Sequence, residues 1–224
     1  MSKWVKYFSQ KAITSNNRFE ISDMHFKDKI AEIDFFDYEK KRILKTLCVV
    51  EKGGVIVDLG CCTGVILELI ESQFEKCIGV DLSDEALQHA RFVLPNCEFI
   101  HDDICNLQKV SQNIADYIIS YGVLQYLSDD ELIKFVLSVS KICKKGSKVL
   151  ISRVPNQNFH NSYQEYRSSR NRIVNDTEDL KWNWISPEMI NEITKNDFYF
   201  TPIFPSYDSK FPLKAFFDFV LIKK

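Results

Sequence analysis

Short acidic and glycine-bearing segments recur at four points in the first two thirds of the 224-residue chain, each after an apolar run. The first reads DLGCCTG, over 58–64, and the others end at Asp81, at Asp102-Asp103 and at Ser120-Tyr121. Carboxylates at such places can accept hydrogen bonds from hydroxyl or amino groups. Glycines in a tight turn let the backbone approach a ligand closely. These residues favour a site for a small polar molecule, and their charge suits a cationic ligand.

Apolar runs and helical periodicities define the elements that must bring these segments together. Runs of strand length occur at 55–59, 77–81, 97–101, 115–121 and 148–153. Helical patterns cover 29–50, 64–73, 84–93 and 129–143, and a further helix is predicted to begin at Ser186-Pro187. Two late strands are predicted near 198–204 and 215–222. The alternation predicts an α/β fold, with a Rossmann-like, doubly wound, mostly parallel sheet of seven strands, an antiparallel edge hairpin and an N-terminal helical cap.

In such sheets, ligands bind outside the carboxyl ends of the strands, where the four segments meet. A carboxylate at Asp81 can accept both hydroxyls of a ribose, and Leu82 can lie against a flat base. Asp102-Asp103 can accept a hydrogen bond from an adenine amino group. A nicotinamide site would need glycine at positions 62 and 65, which Cys62 and Val65 occupy. Asp58 before the turn suits a sulfonium and an ammonium better than a pyrophosphate, so S-adenosylmethionine (SAM) is favoured.

Four segments in this order and spacing resemble the successive motifs of class I SAM-dependent methyltransferases: VIVDLGCCTG, GVDLSDEAL, CEFIHDDI and ADYIISYGVLQYLSDDEL. The family's middle glycine is Cys62 here, a small residue that we expect the turn to tolerate. The resemblance implies SAM as cofactor, S-adenosylhomocysteine (SAH) as product, and a cofactor site formed by Asp58, Gly60, Cys61, Cys62, Gly64, Asp81, Leu82, Asp102, Asp103, Ile104, Ser120 and Tyr121. It also implies one methyltransferase domain over 1–224: a helical cap at 1–50, a SAM-binding core at 51–153, and a substrate loop with the C-terminal strands at 154–224.

The long segment after the fifth strand is rich in arginines and aromatic residues, which favours binding of an anionic acceptor. A solvated helix face is the alternative, because Glu165, Arg167 and Arg170 have helical spacing. His160 is the candidate general base, since its ordinary pKa lies near neutrality; an ordinary surface histidine is the alternative. Gln125 and Tyr121 are the other catalytic candidates. The substrate-binding candidates are Tyr126, Arg153, His160, Tyr163, Arg167, Arg170 and Trp182.

Aromatic residues of the N-terminal segment, namely Tyr7, Phe8, Phe19 and Phe26, are expected to cap the site, with packing on the sheet edge as the alternative.

Composition reduces the number of binding partners and cellular settings that fit this sequence. The net charge of −2 and the lack of a basic stripe outside the loop argue against nucleic acid. Seven cysteines without a C-x-x-C pair predict reduced thiols in a cytoplasmic protein and no metal site. The chain lacks an apolar run long enough for a signal peptide or a membrane span.

The sequence therefore predicts a bacterial, cytoplasmic methyltransferase acting on a small, anionic molecule, such as a phosphorylated, nucleotide-linked or carbohydrate intermediate, with O-methylation favoured over N-methylation. We expect a monomer or a homodimer. A non-catalytic subunit with the same fold is an alternative, motivated by Cys62 and by Gln125 where many relatives have histidine. A NAD-dependent oxidoreductase is a further alternative, and it rests only on the shared sheet.

Overall fold

A seven-stranded mixed sheet forms the centre of the computed structural model, which describes residues 3–24, 29–169, 181–205 and 212–224, with only the backbone described for 29–31. The strand order is β3-β2-β1-β4-β5-β7-β6. The strands are β1 (Val55–Leu59), β2 (Lys76–Asp81), β3 (Glu98–His101), β4 (Ala115–Tyr121), β5 (Cys143–Pro155), β6 (Phe198–Ile203) and β7 (Phe216–Lys223). β1 to β5 pair in parallel, whereas β7 is antiparallel to both β5 and β6.

Helices surround this sheet and also precede it in the chain. They are α1 (Lys3–Thr14), α2 (Arg18–Ile21), α3 (Lys29–Thr46), α4 (Val65–Ile70), α5 (Asp84–Val93), α6 (Asp129–Ile142), α7 (His160–Ser168) and α8 (Pro187–Thr194). Local sequence fixes several helix starts. The Ser83 side chain accepts from the backbone N–H of Ala86, Ser128 and Glu131 form a capping box, and Ser186 caps a helix whose first residue is Pro187.

The predicted fold class is confirmed, including the antiparallel hairpin and the N-terminal helices. Two boundaries differ from the predicted ones. The fifth strand begins at Cys143 rather than at 148, because Cys143 pairs with Ala115 before a register shift. The segment after it contains α7, which replaces part of the predicted loop.

The reversal of strand order lies between β1 and β4, the two most central strands. β1 is buried along most of its length, and its residue Val57 and the paired Ile118 of β4 are fully buried. The connection that leaves β1 leads to β2, whereas the connection that leaves β4 leads to β5 on the other side, and their divergence opens a crevice above these strand ends. The acidic segments identified above follow β1, β2 and β3, so the fold brings them to this crevice.

Within the described residues, the helices are too short or too polar for any of them to cross a membrane.

Candidate active site

A cavity of about 520 Å³ lies at the carboxyl ends of β1 to β4. Its walls carry Asp58, Gly60, Cys61 and Cys62 from the turn after β1, Asp81 and Leu82 from the end of β2, Asp103 and Ile104 after β3, and Tyr121 at the end of β4. The four segments that the sequence singled out thus share one cavity. Helix α1 closes another side of it with Trp4, Val5 and Phe8.

The turn after β1 is held tightly against β2. The backbone N–H groups of Gly60 and Cys61 both donate to the carbonyl of Val80, at 2.8 and 3.1 Å. Gly60 has a φ of +81°, and a Cβ there would come within 2.5 Å of a methyl carbon of Val123. Glycine is therefore required at position 60 by both conformation and space. Cys62, at the family's middle glycine, adopts a φ of +48°, so the turn keeps its left-handed conformation with a side chain present.

Two carboxylates flank this turn, buried Asp58 and half-buried Asp81. Asp58 is 2% exposed, and burial together with the nearby Asp81 raises its pKa to about 8. Burial also raises the pKa of Asp81. Each Asp81 oxygen accepts one backbone N–H, from Cys62 and from Ser83, both at 2.9 Å. Each oxygen keeps acceptor capacity, so the carboxylate can also bind a pair of hydroxyls on a ligand.

The two aspartates after β3 have different surroundings. Asp103 lines the cavity together with Ile104, and its Oδ1 accepts from the backbone N–H of Cys105 at 2.8 Å. Asp102 is buried and does not line the cavity. Its carboxylate accepts backbone N–H groups of Asp103, Gln108 and Lys109 at 2.7 to 2.9 Å, so it stabilises the following turn. Asp103 is the better placed of the two to contact a base.

Residues at the end of β4 and in the turn after it also differ in whether they line the cavity. Tyr121 and Tyr126 line the cavity, whereas Ser120 is fully buried and donates to the carbonyl of Leu59 at 2.7 Å, tying β4 to β1. Gln125 is buried and donates through Nε2 to the carbonyl of Gly122 at 2.7 Å. Its Oε1 has no hydrogen-bond partner among the described residues.

The N-terminal helix supplies an aromatic wall that the sequence analysis anticipated only in part. The Trp4 ring lies 4.4 Å from that of Tyr126, and the Phe8 ring lies 5.4 Å from it. Tyr7 packs on Trp4 and Phe8, and Phe19 packs on Phe36; Phe26 lies outside the described residues. Trp4 was missed, although its spacing of four residues from Phe8 places both side chains on one helix face. Met24, His101 and Glu131 also line the cavity without having been predicted.

The described residues of the predicted substrate loop, 154–169 and 181–184, include an aromatic cluster that does not line the cavity. His160 packs edge-on against Trp184 at 5.0 Å, and Tyr163 stacks on Trp182 at 5.9 Å. The Arg167 guanidinium lies about 6 Å from the rings of Tyr163 and Trp182. Arg170 lies outside the described residues. Arg153 is nearer the cavity, because its Nε donates to the hydroxyl of Tyr121 at 3.0 Å.

The charges around the cavity fit SAM better than a dinucleotide. The charged side chains among its described lining are the acids Asp58, Asp81, Asp103 and Glu131, and neither lysine nor arginine lines it there. Carboxylates would stabilise the ammonium and sulfonium of SAM and would repel a pyrophosphate. The tight turn, a carboxylate able to accept from two hydroxyls and a cavity within the usual size range of small-molecule sites complete the fit.

Comparison with known proteins agrees with this geometry. Residues 56–146 match the methyltransferase domain family. Carboxy-S-adenosyl-L-methionine synthase 1 of Yersinia pseudotuberculosis is 30% identical over 110 residues, which cover 43% of this chain and 44% of the relative. Trans-aconitate 2-methyltransferase of Escherichia coli is 34% identical over 76 residues, or 33% of this chain and 29% of the relative. The chain thus spans less than half the length of these curated relatives.

Solved structures match over nearly the whole chain, at low identity. A methyltransferase in complex with the Haloferax volcanii Trm112 activator has a TM-score of 0.70 at 16% identity, covering 96% of this chain and 97% of that one. The N-methyltransferase NodS from Bradyrhizobium japonicum, in complex with SAH, has a TM-score of 0.65 at 9% identity and covers 98% of both chains. The fold is thus shared with these solved methyltransferase structures, and residues 56–146 match a methyltransferase domain.

Proposed function

We propose that this protein binds SAM in the cavity above β1 to β4 and transfers its methyl group to a small molecule. The observation that carries the proposal is the pair of carboxylates on either side of the turn that begins at Gly60, buried Asp58 and half-buried Asp81, both of which line the cavity. SAM, when bound, would supply a methyl group on a positively charged sulfur. An acceptor atom would attack the methyl carbon in line with the C–S bond, which breaks and leaves SAH.

Each part of the cavity has a proposed task. Asp81 binds the ribose hydroxyls, Leu82 and Ile104 enclose the adenine, and Asp103 accepts from its amino group. Asp58 neutralises the ammonium of the amino-acid part. Gly60 and Gly64 allow the backbone to approach this part closely. The aromatic wall of α1 excludes water, which strengthens each of these interactions.

Of the three catalytic candidates, Tyr121 has the strongest structural support, because it lines the cavity. Gln125 lies directly behind this wall, bonded to the Gly122 carbonyl, and we propose a supporting role for it. His160 packs in the aromatic cluster with Trp184, so a role as general base requires that this cluster adjoin the acceptor.

For the acceptor, we propose a small anionic molecule methylated on oxygen. Arg153 beside Tyr121 and the arginine-bearing aromatic cluster support the negative charge. The name of the Escherichia coli relative, a trans-aconitate methyltransferase, is consistent with a carboxylate acceptor. The cavity itself carries acidic side chains, so the anionic group would lie on the Arg153 side. We further propose a bacterial, cytoplasmic setting and a monomer or homodimer.

Isothermal titration calorimetry tests the cofactor assignment. The wild-type protein should bind SAM and SAH but not NAD. Asp81→Asn should weaken SAH binding by roughly 10- to 100-fold, because a hydrogen bond to a charged group contributes about 1.5–3 kcal/mol. Asp84→Asn is the matched control, since Asp84 is an exposed carboxylate at the start of the helix that follows, and it should leave affinity unchanged. Absence of SAM and SAH binding would contradict the proposal.

Transfer itself is tested with SAM labelled in its methyl group and a panel of di- and tricarboxylates, sugar phosphates and nucleotide sugars. Label should appear in an anionic acceptor, as an ester or an ether. Label only in amines would contradict O-methylation. Binding of SAM without transfer to any acceptor, in the presence of cell extract, would favour the non-catalytic alternative.

A further inference from the structure

Arg153 has a left-handed backbone at an irregularity within β5. Its φ is +62°, in the left-handed region that residues other than glycine, asparagine and aspartate seldom adopt. It lies in β5 where the pairing with β7 shifts register, between Ile151 and Val154. Such a conformation costs roughly 1–3 kcal/mol and persists only where the surroundings impose it.

Asp218 on β7 imposes this conformation. Its Oδ1 accepts the backbone N–H of Arg153 at 2.9 Å, and its Oδ2 pairs with the guanidinium of Arg42 on α3. Arg42 also donates to Glu39 at 2.6 and 2.9 Å and to the Ser152 hydroxyl at 3.2 Å. We call Glu39, Arg42, Asp218 and Arg153 the buried charge network.

The network contains two arginines and two carboxylates and is therefore formally neutral. Glu39 is only 4% exposed, and half-buried Arg42 holds both carboxylates. Removing Arg42 would leave buried Glu39 and half-buried Asp218 without this counter-charge, so the paired arrangement is favoured. It joins α3, β5 and β7 and ends at the side chain of Arg153.

That side chain determines the direction of the Tyr121 hydroxyl. Arg153 Nε donates to Tyr121 Oη at 3.0 Å, and the guanidinium lies 6.0 Å from the ring. Because Oη accepts this bond, its own proton must point elsewhere. Within the described residues the hydroxyl donates to no protein group, and Tyr121 lines the cavity. Burial raises the pKa of Tyr121, so the phenol keeps its proton at neutral pH and cannot serve as a base.

We propose that Tyr121, oriented by Arg153 and the buried charge network, donates its hydroxyl proton in a hydrogen bond to a carboxylate oxygen of a molecule bound in the cavity. The inference rests on the proposed function and deepens it. A hydroxyl whose oxygen already accepts from a guanidinium is a stronger donor, and carboxylates are the strongest acceptors it can meet. The carboxylate has two sources, the amino-acid part of the cofactor and the acceptor.

Tyr121→Phe removes only the hydroxyl and separates these sources. Its binding of SAH is compared with that of 5′-methylthioadenosine, which has no amino-acid part, and with that of a panel of carboxylates added to the SAH complex. A loss of about tenfold for SAH alone identifies the cofactor as the source. A similar loss for a panel member identifies the acceptor. If every ligand that binds the wild-type protein binds Tyr121→Phe within twofold, the inference is wrong.

The positioning role of Arg153 is tested by a double-mutant cycle. Arg153→Lys keeps the charge but loses the planar Nε–H donor. It should weaken the same ligand as Tyr121→Phe, and the double variant should lose little more than either single variant, because the two act through one hydrogen bond. Losses that multiply would contradict this role. Arg91→Lys, an exposed exchange on α5, is the control for a general effect of losing an arginine.

Failure of this inference and failure of the proposed function give different results. If the wild-type protein binds neither SAH nor 5′-methylthioadenosine, the function is wrong. If it binds both and Tyr121→Phe discriminates among no ligands, the function stands and the role of Tyr121 does not. Thermal unfolding of each variant confirms that the comparison is made between folded proteins.

Discussion

At the scale of single residues, Asp58 is expected to have opposite effects on ligand binding and on the stability of the fold. It is buried beside another carboxylate, which makes ionisation costly in the free protein. The same negative charge is what a cationic ligand would recognise. The residue is therefore expected to weaken the fold while it serves the site.

Replacing Asp58 with asparagine should stabilise the free protein above neutral pH. The unfolded chain releases this proton near the ordinary value of 3.8, whereas the folded protein holds it until about pH 8. The folded state thus binds more protons between these values, so stability falls as pH rises from about 4 to 8. Asp58→Asn should remove this fall. A gain of about 2 kcal/mol at pH 8 would raise Tm by roughly 4–8 °C.

Thermal unfolding without ligand, at pH 5 and pH 8, measures this difference. The gain should be clearly larger at pH 8 than at pH 5, because at pH 5 the wild-type protein has undergone only the first part of this fall. Asp37→Asn, on the exposed part of α3, should show no such pH dependence. An equal effect of Asp58→Asn at both pH values would show that burial does not suppress its ionisation.

SAH binding should release a proton from Asp58. At pH 7 the free protein carries Asp58 mostly protonated, and the ligand's ammonium would favour the carboxylate. Calorimetric enthalpies measured in buffers of different ionisation enthalpy should give about one proton released for the wild-type protein. The number should approach zero for Asp58→Asn and for 5′-methylthioadenosine, which lacks the ammonium. The same number for wild type and Asp58→Asn would place the ammonium elsewhere.

The sequence could identify the carboxylates at the strand ends because their positions depend on local patterns. Asp58, Asp81 and Asp103 each follow an apolar run, and the order of the runs places them in one crevice. The partners of Arg153 could not be found in this way. Arg42 and Asp218 are 176 positions apart, and each looks like a surface charge until α3 and β7 meet.

At the scale of elements, the turn between β1 and α4 depends on glycine at one position for two separable reasons. Gly60 and Gly146 have almost the same φ, +81° and +80°. A Cβ at Gly146 meets nothing within 4 Å, whereas at Gly60 it would overlap Val123. Alanine substitutions at these two glycines therefore separate the cost of backbone strain from the cost of steric crowding.

Gly146→Ala should cost about 1–2 kcal/mol of unfolding free energy, from conformation alone. Gly60→Ala should cost roughly 1–3 kcal/mol more, because the added methyl group overpacks the turn. Equilibrium denaturation in urea measures both values. Val123→Ala in the Gly60→Ala background should recover part of the excess. Equal costs for the two alanine variants would mean that Val123 moves aside freely.

Predicted boundaries of helices and strands are wrong where pairing between distant parts of the chain outweighs the local sequence pattern. Residues 144–146, Lys-Lys-Gly, lie between the helix predicted over 129–143 and the strand predicted over 148–153, yet they belong to β5 because Cys143 pairs with Ala115. The spatial order of the last two strands also depends on contacts beyond local sequence, since β7 lies between β5 and β6 although β6 precedes it in the chain. In contrast, Ser186 and Pro187 mark the start of α8 by cap chemistry alone, and this start is confirmed.

At the scale of the whole molecule, α1 lies against the cavity and has little buried surface. Its one buried residue is Ala12. Ser9 donates to Ser83 and Glu85 at 3.0 and 2.6 Å, and a ring nitrogen of His89 lies 3.1 Å from the Ala12 carbonyl. Elements with little buried surface open at low free energy, so α1 should exchange its amide hydrogens faster than the central strands.

Ligand binding in the cavity should reduce this difference in amide exchange between α1 and the central strands, because three side chains of α1 line the cavity. At a concentration of 100 times its Kd, SAH would stabilise the folded protein by about 2.7 kcal/mol, and part of that should appear locally as slower amide exchange over 5–14. Hydrogen exchange with mass spectrometry should show this slowing, little change in the β6–β7 hairpin, and a smaller effect in Trp4→Ala. Protection at the end of β4 without protection of α1 would mean that the helix lies beside the bound ligand without closing over it.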